Sequence, residues 1–322
     1  MKKIKYELEF LINNKISWLV LLLFITSVNS AEPWNFSEKI KNGETFENIM
    51  LAGAVRIKPA TDKNKIAREI SGIAWDEDEQ ILYGISDDGY IVHMRLQINN
   101  NILQDIVVLS THYLKDSNGQ IRDAMHADAE GITLDNAENN IKGDTIINAV
   151  LDKPMRAERF SNTGEYIGTL DLPKALSDTN LAHPIEVNAI AGNMESGYYF
   201  LSKERVAYKN HLLFSGSTEP NEVPLKNNTS INIVGADYIK NDGVYFLDRN
   251  YKSMLYPIIY CIRRIDDKMV VSDIACFNSK EGWQLDNFEG ITHYRDKYFL
   301  IMSDDEESLF QKTLIVMFKI LN

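Results

Sequence analysis

A short pattern that recurs five times limits the folds open to this chain more than any other feature. Each copy has a small residue with an apolar partner, then a turn, then an aromatic and apolar run that ends in polar or charged residues. The small residues are Gly72, Gly131, Ala189, Gly235 and Gly290, at spacings of 59, 58, 46 and 55 positions. Short β-rich units at this spacing are typical of four-stranded propeller blades and not of helical repeats.

The repeat predicts an all-β fold, a β-propeller, in a single domain over residues 31–322. Helical signals are scarce in this range, and no Pro-, Gly- or Ser-rich linker divides it. Five units are visible and a degenerate one is easily missed, so we expect six blades, which suit the average length, with five as the alternative. The final run KTLIVMFKIL (312–321) is expected to pair with IMLAGAVRI (49–57). That pairing would close the ring and remove exposed sheet edges.

The N-terminus predicts export. Four lysines precede an apolar run over residues 16–28, and the small residue Ser30 suits cleavage by signal peptidase. We therefore expect residues 1–30 to be a signal peptide and the protein to be periplasmic or secreted, with no membrane span after cleavage. An uncleaved membrane anchor is the alternative, although the apolar run is shorter than the ~20 residues that a spanning helix needs.

The charge balance excludes some classes of partner. The chain has 46 acidic residues against 34 lysines and arginines, a net charge of −12. Residues 1–30 contain four lysines and two glutamates, so the net charge of the chain without this segment is more negative still. Such a surface repels nucleic acid and anionic membranes and favours cations. We expect a monomer that acts on a small-molecule substrate and binds no nucleic acid.

The two cysteines, Cys261 and Cys276, lie about equally far from the turn-like sequence DDKM (266–269). Facing positions on paired strands would allow a disulfide worth about 3 kcal/mol, and two buried free thiols are the alternative. Neither cysteine has a Cys or His partner at metal-ligand spacing, so a zinc site is not predicted.

Carboxylates at the two ends of the repeat are expected to converge. In a propeller blade the start of the innermost strand and the end of its antiparallel neighbour lie on the same face. The residues directly before the small residues, which would surround one mouth of the axis, are Ser71, Glu130, Asn188, Val234 and Glu289. The carboxylates that close the second strands, as an outer rim, are Asp87, Asp88, Asp152, Glu204, Asp248, Asp304 and Asp305.

Oxygen ligands grouped in this way favour a hard divalent cation such as calcium, which would also relieve the repulsion between the carboxylates. The candidate metal ligands are Glu130, Asn188, Glu289, Asp304, Asp87, Asp248 and Glu204. Three of them have a structural alternative: Asp87 stands in an ordinary turn sequence, and Glu130 and Glu289 could tie neighbouring blades together through backbone amides.

Basic and nucleophilic groups narrow the chemistry. Arg249 follows Asp248 in the repeat, and an arginine beside a carboxylate-held metal can grip a phosphate in bidentate fashion, with a salt bridge between blades as the alternative. His126, two residues before Asp128, is expected on the same face, whereas His293 is expected to be packed. The catalytic candidates are Glu130, Glu289, Arg249 and His126. Motifs for a serine nucleophile, a phosphate-binding loop or a helical zinc site are absent from the sequence.

Several stretches, in order along the chain, resemble a known family. They are SGIAWDEDEQILYGISDDG (71–89), DAEGITLD (128–135), RFSNTGEYIGTLDLP (159–173), YFLDRN (245–250), NFEGITHYRDKYFLIMSDDE (287–306) and QKTLIVMFKI (311–320). Over most of the chain after residue 30 it resembles the "esterase-like activity of phytase" family of exported propeller-like proteins. The resemblance implies a β-propeller and a phosphoester or ester hydrolase related to calcium-dependent propeller phytases.

Two departures from the family pattern affect the expected site. The sequence reads Asn188-Ala189 where the family commonly has a further Glu-Gly. It reads Leu247-Asp248-Arg249 where the family has Leu-Glu-Arg. A neutral oxygen at Asn188 would leave metal binding with less charge. We therefore keep three hypotheses: a calcium-dependent hydrolase with Arg249 orienting a phosphate, a non-catalytic propeller with a structural calcium, and a lactonase-type propeller with one axial calcium.

Overall fold

The computed structural model describes residues 31–59, 66–177, 185–206, 210–216, 219–225, 232–250, 256–305 and 311–321. The predicted signal peptide lies outside the described residues. In the described part of the chain, the strands form five antiparallel sheets, and the innermost strands contact one another in chain order with the last returning to the first. The predicted β-propeller is therefore confirmed, and it has five blades, the alternative to the preferred six.

Each blade begins with an innermost strand that contains the small residue of the repeat. These strands are β4 (Ile70–Asp76), β8 (Ala129–Asp135), β12 (Val187–Asn193), β16 (Asn232–Ile239) and β20 (Asn287–Arg295). The second strands are β5 (Ile81–Ser86), β9 (Ile146–Leu151), β13 (Gly197–Ser202), β17 (Gly243–Asn250) and β21 (Tyr298–Asp304).

The outer strands complete the sheets. The third strands are β6 (Tyr90–Asn99), β10 (Arg156–Ser161), β14 (His211–Ser215), β18 (Ile259–Ile265) and β22 (Leu314–Ile320). The fourth strands of the first four blades are β7 (Ile102–Tyr113), β11 (Tyr166–Leu170), β15 (Asn221–Val223) and β19 (Val271–Asn278). The described helices are short: Ala124–Ala127, Lys174–Ser177 and a 3₁₀ turn at Ser279–Glu281.

The N-terminal segment closes the ring. β3 (Ile49–Ile57) pairs antiparallel with β22 and supplies the fourth strand of the last blade, and the short strands β1 (Ala31–Pro33) and β2 (Thr45–Phe46) pair with β3. The predicted pairing of the two termini is thus confirmed. The expected count of six came from an average length per blade. This segment and the long pair β6–β7 account for the chain length that the average suggested for a sixth blade.

The hydrophobic core lies between blades. Each of five clusters joins the facing sides of two successive blades, as where Leu82 and Ile70 of the first blade share a cluster with Leu300 and Met302 of the last. Every sheet therefore buries both faces. This explains why the middle strands are apolar at consecutive positions and do not alternate between apolar and polar residues. Cys261 and Cys276 stand opposite each other on β18 and β19 and form a disulfide.

The axis of the ring is closed by the backbones of the innermost strands. A Cβ placed on Gly131 would lie 2.6 Å from the carbonyl oxygen of Asn188, and one on Gly235 would lie 2.6 Å from that of Glu289. The cavity left on the axis is about 10 Å³, no larger than one water needs. The small residues of the repeat are thus required by close approach. The two ends of the axis are separate sites.

Candidate functional site

A β-bulge occurs at the same place in every blade. In each innermost strand the register with the second strand skips the residue directly before the small residue of the repeat. The skipped residues are Ser71, Glu130, Asn188, Val234 and Glu289. A bulge leaves the extra residue without a partner in the ladder and redirects its side chain. This local geometry explains why a glutamate can stand next to a buried strand and still point out of the sheet.

Glu130 lies at the centre of the first carboxylate group. Its Oε2 accepts a hydrogen bond of 2.8 Å from the side-chain amide of Asn188 in the next blade. Ligand oxygens of Glu130, Asp128 and Asp152 all lie within 4.8 Å of one another, and the three residues are partly buried. Desolvation raises the pKa of Glu130, Lys203 lowers it, and the two aspartates raise it further. These carboxylates therefore repel one another at close range.

Asp128 and Asp152 are held beside Glu130 by the backbone. The N–H of Asp152 donates to the carbonyl oxygen of Asp128 at 2.8 Å, which joins the end of β9 to the start of β8. Lys153 reaches back to Asp128 at 2.5 Å but is mostly exposed. Because the lysine side chain lies mostly in solvent, its charge offsets little of the negative charge.

Glu289 is paired with a cation from the preceding blade. Nη1 of Arg249 donates to Glu289 Oε1 at 2.8 Å and also to Oδ1 of Asn287. The side chains of Glu289 and Arg249 are only 14% and 19% exposed. Desolvation raises the pKa of Glu289 to about 7, against the opposing effect of Arg249 and with further increases from Asp304 and Glu130. Desolvation and the negative charge of Glu130 therefore make Glu289 easier to protonate than an exposed glutamate.

A second carboxylate group lies where the last blade meets the first. Ligand oxygens of Glu69, Asp304 and Asp305 lie within 4.8 Å of one another. Desolvation raises the pKa of the neighbouring Asp87 to about 7, and Asp304 and Glu130 add to the effect. We call the surface formed by Asp87, Asp128, Glu130, Asp152, Glu289 and Asp304 the acidic mouth.

Lys203 is a part of this surface that the sequence did not indicate. Its charge lowers the pKa of both Glu130 and Glu289, and its Nζ lies 3.9 Å from Glu186. Lys203 follows Ser202 at the end of β13, a position in the repeat that is an aspartate in three other blades and Arg249 in the fourth blade. A lysine in place of the rim carboxylate was the available signal.

The remaining sequence candidates lie in other surroundings. Asp248 is 2% exposed and accepts a hydrogen bond from Nε of Arg263 within the fourth blade, so a buried ion pair accounts for its carboxylate. The side chain of Glu204 is exposed. His126 is 54% exposed on its short helix and contacts Asp123 at 2.7 Å. The structure does not bring these three side chains into the contacts that define the acidic mouth.

The other end of the axis has a cavity of about 510 Å³. It lies at the C-terminal ends of the innermost strands. All five blades contribute residues from these strands or the loops that follow them. Among the lining residues are Trp75, Leu134, Met194, Asp237, Tyr238 and His293. We call it the opposite cavity. His293, expected to be packed, does contact Phe299 edge-to-face at 5.3 Å, but it also lines this cavity.

The acidic mouth fits a calcium ion by its donor chemistry. Asp128, Glu130 and Asp152 offer three carboxylates whose ligand oxygens are already close together, and hard oxygen ligands are the set that calcium prefers. Asn188 serves this group in a way the sequence did not suggest. Its amide nitrogen donates to Glu130, so it orients the carboxylate of Glu130.

No helix in the described ranges is long and apolar enough to cross a membrane.

Comparison with solved structures gives distant matches. A crystal structure of a "putative glycoside hydrolase from Parabacteroides distasonis ATCC 8503" is 10% identical, with a TM-score of 0.41, and the alignment covers 84% of this chain and 97% of that one. The outer coat vertex of COPII on membranes is 11% identical, with a TM-score of 0.35, over 86% of this chain and 70% of that one. At these scores the likenesses carry no functional argument.

Comparison with protein families gives a match in the first part of the propeller. No curated protein matches the chain. Residues 67–196 match the phytase-like family, described as "Esterase-like activity of phytase". This range includes the first two blades and the innermost strand of the third, and therefore Asp87, Glu130 and Asn188. The resemblance inferred from the motifs is thus confirmed over residues 67–196, whereas the motifs at 245–250, 287–306 and 311–320 lie outside the match. The chain is a five-bladed β-propeller with a phytase-like segment over residues 67–196.

Proposed function

We propose that the protein is a calcium-dependent hydrolase that acts on phosphoesters or related esters at the acidic mouth. The observation that carries the proposal is the group formed by Asp128, Glu130 and Asp152, with ligand oxygens within 4.8 Å of one another. The family match over residues 67–196, which includes all three, supports it.

The proposed roles divide between metal ligands and substrate-binding groups. Asp128, Glu130 and Asp152 would hold the calcium ion, which supplies positive charge to stabilise the charge that develops on substrate oxygens. Arg249 and Lys203 add two fixed positive charges. A guanidinium presents five N–H donors in a planar fork, so Arg249 can bind a phosphate while it keeps its contact with Glu289.

Glu289 is the candidate for proton transfer. With a pKa of about 7, its carboxyl group is near the value at which a general acid or base works best at neutral pH. The same residue is hydrogen-bonded to Arg249, which fixes its orientation. Proton exchange at Glu289 would therefore be linked to the position of the substrate-binding guanidinium.

A hydrolase screen tests this proposal. The protein would be assayed with phytate, 4-nitrophenyl phosphate, 4-nitrophenyl acetate and a sugar lactone, in calcium and in EDTA, which also separates phosphoesterase, esterase and lactonase activity. We expect calcium-dependent turnover that falls at least tenfold in Glu130→Gln and in Arg249→Lys. Glu222→Gln, on the outermost strand of the third blade, is the matched control and should retain activity. Absence of turnover on every substrate with every divalent metal would sink the proposal.

One observation favours a second function, a non-catalytic propeller stabilised by calcium. Arg249 is already engaged by Glu289 and Asn287, as expected for a contact that joins the fourth blade to the fifth. On this alternative calcium raises the melting temperature, Glu130→Gln removes that effect, and no substrate is turned over. The same set of proteins and assays therefore separates the two functions.

We also propose that the protein is exported after removal of residues 1–30. The disulfide between Cys261 and Cys276 supports this, because disulfides persist in the periplasm and outside the cell and are rare in the cytosol. Fractionation of the producing cells with N-terminal sequencing of the mature protein tests it. A product that keeps residues 1–30 and sediments with membranes would indicate the uncleaved anchor instead.

A further inference from the structure

The opposite cavity is independent of the acidic mouth. It lies at the other end of the axis, and the close-packed glycines of the innermost strands separate the two. Its volume of about 510 Å³ is within the range of pockets that bind small organic molecules, about 300–1,000 Å³. Any ligand there would be held by side chains that the proposed hydrolase does not use.

Asp237 is the central polar group of this cavity. Its Oδ1 accepts from the backbone N–H of Tyr238 at 2.7 Å, and its Oδ2 accepts from the N–H of His293 at 2.7 Å and from the hydroxyl of Thr292 at 2.9 Å. These donors fix the carboxylate between β16 and β20 but are all uncharged. The side chain remains partly exposed. Burial raises its pKa, against the opposing effects of these hydrogen bonds and of the charge of His293.

The groups around Asp237 also accept hydrogen bonds. Nε2 of His293 is 2.9 Å from the carbonyl oxygen of Asp296; a carbonyl only accepts, so Nε2 carries a proton and is directed away from Asp237. Glu138 stands at the exposed rim of the cavity. Desolvation raises its pKa, His293 lowers it, and Asp237 raises it again. The two carboxyl groups thus repel each other across the cavity.

The charge of the cavity excludes anions, and its geometry disfavours a bare metal ion. Lys240, which also lines it, is paired with Glu195 at 2.7 Å. Among the described residues, the groups of three carboxylates close enough to share a metal ion lie at the other end of the axis and not here. The walls include the apolar or aromatic side chains of Leu134, Met194 and Tyr238. Tyr238 is stacked on Tyr199 at 5.0 Å, which holds its ring in place.

We propose that the opposite cavity binds a small organic cation whose primary ammonium group is hydrogen-bonded to Asp237 and Glu138. The apolar body of this ligand packs against Tyr238 and Met194. An ammonium group has three donors and no acceptor, which matches a cavity whose floor and rim present acceptors. Its positive charge also relieves the repulsion between the two carboxyl groups.

A matched pair of probes tests this assignment. Binding of 2-phenylethylamine and of 2-phenylethanol, which differ in ammonium against hydroxyl, would be measured by isothermal titration calorimetry on the full propeller in calcium-saturated buffer, with glucose as a polyol. We expect the amine to bind at least about tenfold more tightly than the alcohol, a difference of about 1.4 kcal/mol. Equal binding of amine and alcohol, binding of glucose alone, or no binding of the amine up to about 10 mM would overturn the proposal.

Variants identify the site. Asp237→Asn should weaken amine binding about tenfold or more, whereas Asp267→Asn should not change it. Asp267 is exposed in the turn between β18 and β19, so this control removes one carboxylate of the same type away from the cavity. Asp237 also joins two blades and its variant can lose stability. Glu138→Lys, at the exposed rim, therefore provides a second measurement and should abolish binding without loss of the fold.

The acidic mouth is the competing location for a cation. Amine binding that is lost in Glu130→Gln but kept in both Asp237→Asn and Glu138→Lys would place the amine there and overturn the assignment. Binding lost in the two cavity variants and kept in Glu130→Gln supports it. Because the cavity variants leave the acidic mouth intact, failure of amine binding says nothing against the proposed hydrolase.

Discussion

The side-chain amide of Asn188 donates a 2.8 Å hydrogen bond to Oε2 of Glu130 across the boundary between the second and third blades. Both residues are bulged out of their strands, so the contact exists only because the bulge recurs in each blade. Its effect is to hold Glu130 beside Asp128 and Asp152. Groups that orient a ligand in this way commonly contribute tenfold or more to metal affinity.

Asn188→Ala is therefore expected to weaken calcium binding about tenfold, measured by calorimetry at neutral pH. Asn188→Asp should instead strengthen calcium binding, because a further carboxylate adds negative charge next to Glu130. Without calcium the same repulsion should lower the melting temperature in EDTA. Asn210→Ala is the matched control: Asn210 makes an equivalent 2.8 Å contact with Glu222, but on an exposed part of the third blade. Unchanged calcium affinity in both Asn188 variants would show that the contact only joins the blades.

Glu289 predicts how stability depends on pH. Its pKa is raised from the ordinary 4.5 to about 7, so the folded state favours the protonated form. The contribution of this group is fully present below about pH 4.5 and is lost as pH rises through about 7. At about 1.4 kcal/mol per unit, the loss amounts to about 3 kcal/mol. Calcium at the acidic mouth should reduce it by lowering that pKa.

Thermal unfolding between pH 4.5 and 8 tests this sign. In EDTA the melting temperature should fall as pH rises towards 8, and calcium should restore part of it. Glu289→Gln should make the profile less steep, because the amide cannot ionise and Asp87 keeps the remaining dependence, whereas Glu222→Gln should keep the wild-type profile. A melting temperature that rises steadily over this range in EDTA would contradict the assignment of a raised pKa to Glu289.

Much of the fold could be predicted because the small residues of the repeat lie where the backbones of neighbouring innermost strands approach each other most closely. Gly131, Gly235 and Gly290 mark the axis at points where a neighbouring backbone atom would lie within 3 Å of an added Cβ, and Gly72 and Ala189 occupy the equivalent positions in the other two blades. The number of blades could not be obtained in the same way. The lengths of the outer strands vary from three residues in β15 to twelve in β7, so an average length per blade is a poor guide.

The site could be predicted only where it depends on the repeat. Hairpin geometry was sufficient to bring Glu130 and Glu289 to the same mouth. The two glutamates have different neighbours within that mouth: Glu130 lies beside Asp128 and Asp152, and Glu289 lies beside Arg249. These contacts depend on side-chain packing across blades and have no sequence signature. The opposite cavity was missed because Asp237 lies within a strand, in VGADYI, and reads there as an ordinary polar position.

Close packing on the axis gives a stability prediction. Gly131→Ala would place its Cβ 2.6 Å from the carbonyl oxygen of Asn188, so two innermost strands must separate. Overpacking of a core costs about 1–3 kcal/mol, and the displacement of Asn188 should weaken calcium binding as well. Gly168→Ala is the control, since nothing lies within 4 Å of its Cβ position on the outer strand β11. Equal denaturation midpoints for the two variants would contradict a closed axis.

The disulfide gives the last prediction. Cys261 and Cys276 are directly opposed on β18 and β19 and are 15 positions apart, and a cross-link over that separation stabilises a fold by about 3 kcal/mol. The double variant Cys261→Ser/Cys276→Ser should unfold at lower urea concentration, and reduced wild-type protein should match it. The acidic mouth is formed by other blades, so calcium affinity should be unchanged. Reaction of both cysteines with a thiol reagent in the unreduced, unfolded protein would show instead that the two thiols are free.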